Sequence, residues 1–102
     1  MRTFEFDTKS WSAVLDVYEA ICEALESSRW HGHSIDALID SMVYGGINGI
    51  EPPYTLRFLN VEGACPDVRN EITDIATYVG EALVWRLAHY GNAPTIVFQI
   101  AQ

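Results

Sequence analysis

Apolar residues along this chain switch between two periods, and the switches mark its elements. From Thr3 to Phe6 they alternate, with Phe4 and Phe6 on one side, the period-2 signature of a short strand. Val14, Val17, Tyr18, Ile21, Cys22 and Leu25 then recur with the helical period. They predict an amphipathic helix, capped by Ser10 or Ser12, that runs to about Ser27. A turn around Gly32 occupies Arg29 to His33. Ile35, Leu38, Ile39 and Met42 form a second stripe and predict a helix from Ile35 to about Tyr44. Ser34 has the side chain to accept a hydrogen bond from the first-turn amides of that helix.

The glycines and the proline pair of Gly45 to Pro53 can sustain neither a helix nor a central strand and predict a loop. Tyr54 to Val61 predicts a strand, with Leu56 and Phe58 facing one way and Leu59 and Val61 the other, a pattern expected of a strand covered on both faces. After a loop from Asn60 to Cys65, Pro66 suits a first helical turn and Asp67 the positive end of a helix dipole. Val68, Ile72, Ile75, Val79, Leu83, Leu87 and Tyr90 follow at helical spacing. They fit either one helix of about two dozen residues or two helices broken near Gly80. Gly91-Asn92-Ala93-Pro94 stops the pattern, and Thr95 to Ile100 predicts a final buried strand. The order strand, helix, helix, strand, helix, strand implies an α/β fold. Its expected core is a small three-stranded parallel sheet flanked by three to four helices, with right-handed crossovers. Residues 1–102 carry no internal repeat or low-complexity tract and are expected to form one domain.

With 49 % hydrophobic residues, a packed interior is expected rather than disorder. The formal net charge of −8 argues against nucleic acid and anionic membranes as ligands and favours a basic protein partner, whose encounter the summed field would speed. No segment approaches the ~20 apolar residues of a bilayer span. The start, Met1-Arg2-Thr3-Phe4-Glu5-Phe6, lacks the apolar run of a signal peptide. Cys22 and Cys65 have no metal-type spacing, and Cys22 falls on an apolar helix face. These features together lead us to expect a cytoplasmic protein with reduced thiols.

The chemistry concentrates at the second helix. At 3.6 residues per turn, His33, Asp36, Asp40 and Tyr44 fall within an arc of about 80°. Two like charges at i and i+4 cost an isolated helix roughly 0.2–0.5 kcal/mol. That cost is offset if a partner's arginine or lysine enters between them, most strongly as a bidentate pair with arginine. Trp30 just before the turn and Tyr44 at the far end flank the two carboxylates, and such aromatics are enriched where binding energy concentrates. Trp11 and Trp85 are expected to pack at the edges of the core.

The run Trp30-x-Gly32-x-x-x-Asp36-Ala37-Leu38-x-Asp40 resembles the signature of the barstar family, intracellular inhibitors of secreted ribonucleases. The length and element order are similar to that family over essentially the whole chain. The resemblance implies a barstar-like fold, no enzymatic activity, no cofactor, and a partner that is a secreted or effector ribonuclease. It implies that the second helix and the preceding loop plug the nuclease's active site, with Asp36 and Asp40 standing in for RNA phosphate, Trp30 an aromatic contact and Gly32 the turn. His33 and Tyr44 are expected to join them at the partner interface, and the free chain is expected to be a monomer. His31 stands where the family has an aromatic, Ser34 where it has Asn and Ile39 where it has Trp. Arg86 stands near the position of a family glutamate, and the loop from Gly45 to Pro53 is longer than the family's. These departures imply a toxin whose surface differs from that of barnase.

Two other readings use the same residues. A metal-dependent hydrolase could draw on His31, His33 and Asp36, with Asp40 as a further donor. His31 and His33 straddle a glycine turn, however, and form no H-x-x-x-H pair on a helix face. No metal site is expected. The carboxylates would sit on a convex helix, the only lysine is Lys9, and no G-x-S-x-G turn is present. A barstar-like interaction module with a partner other than a nuclease is the third reading.

Overall fold

A computed structural model describes residues 1–27 and 32–102. Three parallel strands, β1 (Arg2–Asp7), β2 (Tyr54–Leu59) and β3 (Ile96–Ile100), form one sheet in the order β1-β2-β3. Helices α1 (Val14–Ala24) and α2 (Ile35–Ile39) lie in sequence between β1 and β2, and α3 (Pro66–Tyr90) lies between β2 and β3. This is the expected α/β fold, a three-stranded parallel sheet with three helices.

Register assigns each strand residue to a face. Phe4, Leu56 and Phe98 share one face, as do Phe6, Phe58 and Ile100. Tyr54, Leu56 and Phe58 on it are fully buried among Val17, Ile21, Leu38, Met42, Ile72 and Ile75 from the helices. The other face carries a polar row. Arg57, half-buried, donates to Glu5 at 2.8 Å and to Gln99 at 2.7 Å across all three strands, and both acceptors are exposed to solvent. The expectation that β2 is covered on both faces is therefore overturned. Strand order explains this: it never reverses, so two crossovers of one hand place every helix on the same side. Leu59 is half-buried at the end of β2, and Val61 belongs to a 3-10 turn (Val61–Gly63) instead of the strand.

Three further boundaries differ from expectation. Neither Ser10 nor Ser12 caps α1. Thr8–Ser10 is a separate 3-10 turn, and the backbone amides just before α1 are satisfied by Asp16, whose Oδ2 accepts from Ser12 and Ala13 at 2.9 and 3.1 Å. α1 ends at Ala24, with Glu26 at φ 54 closing the turn. β3 is only partly buried, with Gln99 and Ile100 exposed at the sheet edge.

α3 is one unbroken helix of 25 residues. At ~1.5 Å per residue it runs about 37 Å, nearly the full 39 Å long axis of the molecule. Val68, Ile72, Ile75 and Val79 are buried, but Leu87 and Tyr90, expected to continue that stripe, are 56 % and 58 % exposed. The sheet ends before the helix does, so its last turns overhang the core. Gly91 at φ 79 closes α3, its N–H donating to the Leu87 carbonyl at 3.0 Å. Among the described residues, no helix is long and apolar enough to cross a membrane.

Candidate functional site

α2 begins as its sequence dictates. Ser34 is the N-cap, its Oγ accepting from the Ala37 N–H at 3.1 Å. Asp36 follows in the first turn, where the helix dipole favours a carboxylate. The Asp40 N–H reaches back to the carbonyls of Asp36 and Ala37, so a full α turn separates the two acids. Both are exposed, and neither has an ion-pair partner among the described residues. The structure thus brings Asp36 and Asp40 together on one solvated side, at the cost of their mutual repulsion.

Beyond Asp40 the helix widens. Asp40–Tyr44 is a single π turn, with the Gly45 N–H donating to the Asp40 carbonyl at 3.2 Å. A π turn advances each residue by less than the about 100° of an α-helix. Three consecutive side chains, Ser41, Met42 and Val43, therefore turn into the core together. Gly45 at φ 76 then ends the element. This corrects the arc expected from a regular α period: Tyr44 does not continue the line of His33, Asp36 and Asp40. Its ring instead meets Tyr90 edge-on at 6.3 Å and lies 5.7 Å from the Arg86 guanidinium carbon.

Arg86 fastens this end of α2 to α3. Its Nη1 donates to the Val43 carbonyl and its Nη2 to Asn92 Oδ1 at 3.3 Å. Its Nε is buried without a hydrogen-bond partner among the described residues. The guanidinium thus spans the π turn, α3 and the segment leading to β3. Glu51, whose Oε1 accepts from the Gly46 N–H at 2.8 Å, lines the same small hollow as Arg86 and Tyr44.

On the other side of α2 a groove of about 460 Å³ separates it from α3. Ile35, Asp36 and Ile39 form one wall, and Tyr78, Glu81, Ala82 and Trp85 the other. Trp85, expected at a core edge, is 47 % exposed, whereas Trp11 does pack at that edge against Phe6 and Phe58. Trp85 lies off the stripe that periodicity traces along α3, and its exposure is a finding of the structure. The signal that could have found it is the length of α3 beyond the strands it covers.

The remaining expected site residues are less informative. Gly32 and His33 are exposed at the start of α2. Gly32 has no positive φ, and a Cβ there would approach Ala37 Cβ to 3.4 Å, so the backbone itself does not demand glycine. Trp30 and His31 lie outside the described residues. Among the described residues no three His, Cys, Asp or Glu side chains come together as a metal site would require. Cys22 is buried on α1, which pushes its thiol pKa up, and no disulfide joins it to Cys65.

The family described as barstar (barnase inhibitor) matches residues 1–99. No curated protein matches the chain.

Proposed function

The chain belongs to the barstar family of barnase inhibitors, and from that premise we propose that it inhibits a basic ribonuclease toxin by occluding the enzyme's active site with α2. The observation that carries this reading is the pair of exposed carboxylates, Asp36 and Asp40, one α turn apart on a helix fixed to the core by Leu38 and Met42. Their spacing suits cationic residues that would otherwise hold successive RNA phosphates. Neither has an ion-pair partner among the described residues, so no such pair is lost there when a partner's arginine or lysine replaces water. In this reading Trp30 anchors the contact, Gly32 permits close approach at the turn, and His33 and Tyr44 lie at the rim. The inhibitor is not an enzyme and acts in the cytoplasm as a single monomeric domain, meeting a secreted or effector nuclease before export.

Arg86 separates this target from barnase itself. A cation near the family's glutamate position, folded back onto the Val43 carbonyl, withdraws one acidic contact. The plug then consists of α2 and the loop before it.

Co-expression tests the proposal. The chain is produced with barnase, and separately with any ribonuclease encoded beside its gene, and growth rescue is scored. Rescue by the intact chain and its loss with Asp40→Ala, at unchanged protein level and melting temperature, is the expected result. Leaving a buried partner cation unpaired costs about 3 kcal/mol, roughly a hundredfold in Kd. Rescue that survives both Asp36→Ala and Asp40→Ala would overturn the carboxylate plug.

A further inference from the structure

We propose that the groove between α2 and α3 is a receptor for an arginine side chain of the protein partner, with Trp85 as its stacking platform and Asp36 and Glu81 as its carboxylates. The proposal extends the inhibitor reading to a second element, and its first test does not depend on that reading.

Three observations carry it. The groove is walled by apolar side chains, Ile35 and Ile39 against Tyr78, Ala82 and Trp85, and its about 460 Å³ admits a long side chain with the backbone that bears it. Among the described residues, the charged ones that line it are both acidic, Asp36 and Glu81. An apolar slot with carboxylates fits a side chain that has an aliphatic stem and a planar cationic head. Trp85 is also held in place before anything binds. His89 stacks on its indole at 4.0 Å and 17°, Tyr90 meets its edge at 5.7 Å, and His89 Nδ1 lies 2.8 Å from the Trp85 carbonyl oxygen. An exposed indole already fixed in position loses little conformational freedom when a guanidinium settles on it.

Charge selects among occupants. A second copy of this chain would bring another −8 to an acidic slot, and nucleic acid would bring phosphate. A basic protein surface is complementary. Continuity with α2 matters too, because Asp36 belongs both to the exposed carboxylate pair and to the wall of the groove. A partner engaging the first is within reach of the second.

The test is titration of the full chain with N-acetyl-arginine methylamide, and with its uncharged citrulline counterpart at matched ionic strength, followed by the tryptophan indole resonances. The expected result is a saturating shift of the Trp85 indole with the arginine probe alone. Glu81→Gln should weaken it by about tenfold, and Trp85→Leu should abolish the response of the amides around Ile39 and Ala82. Equal response to both probes, or a saturating response that ignores Glu81→Gln, would overturn the proposal. So would sedimentation showing a dimer that Trp85→Leu dissolves. If the arginine response holds but no ribonuclease is inhibited, the inhibitor reading alone fails. If inhibition holds and is lost with Asp40→Ala yet is indifferent to Trp85→Leu and Glu81→Gln, the groove proposal alone fails.

Discussion

Arg86 shows how one side chain of α3 can hold the end of α2 in place. Three of its contacts converge on the end of α2: the Val43 carbonyl, the Tyr44 ring and, through Asn92, the segment before β3. A π turn leaves its carbonyls poorly shared, and a guanidinium donating to one of them compensates. Arg86→Met keeps the aliphatic stem and removes these donors. The expected outcome is a loss of about 1–3 kcal/mol in unfolding free energy by urea titration, with shifted amide resonances for Val43 to Gly46. A variant with wild-type stability and spectra would show that the guanidinium is incidental. Arg86 was conspicuous in the sequence only as a charge of the wrong sign for the family, because the π turn that gives it work has no periodicity signature of its own. Asp36 and Asp40 were legible because the α turn between them is regular, and Ser34 because N-cap chemistry is local. Trp85 was not, since a helical stripe cannot report where the opposing sheet ends.

At the scale of elements, α3 carries the clearest disagreement between propensity and structure. Gly80 sits mid-helix, where glycine costs roughly 0.5–1 kcal/mol relative to alanine, and its position left open whether the helix breaks there. It does not, because Val79 on one side and Leu83 on the next turn pack against the core on either side of it. A Cβ built at Gly80 meets nothing within 4 Å. Gly80→Ala should therefore raise stability by about 0.5–1 kcal/mol, seen as a higher urea midpoint with an unchanged slope. A lower midpoint would mean that the helix needs flexibility at this point. The start of α2 and both ends of α3 followed from pattern and punctuation, whereas α2 gives way to the π turn after Ile39, short of the expected Tyr44. The start of α1 did not, because no serine caps it and Asp16, from inside the helix, reaches back to the amides of Ser12 and Ala13.

For the whole molecule, the layers are held together by apolar packing, with a polar tie between α1 and α3. Tyr18 of α1, 3 % exposed, donates its hydroxyl to Glu71 of α3. Desolvation first, then the bond to Glu71, pushes the Tyr18 pKa above its ordinary 10.0, and burial does the same to Tyr54. The sign follows from which state holds the proton. Above pH 10 the unfolded chain's phenols ionise while these two stay protonated in the folded protein, so the unfolded state binds fewer protons and stability falls as pH rises. Below the ordinary phenol value that stability is fully present, and it declines from about pH 10 upward. Urea midpoints should therefore drop steadily between about pH 10 and 11.5. Tyr18→Phe removes one titrating group and one hydrogen bond. It should cost about 1 kcal/mol at pH 8 and flatten the alkaline decline, because phenylalanine has no proton to hold. A Tyr18→Phe profile as steep as that of the natural chain would mean that the linkage between α1 and α3 does not pass through this hydroxyl.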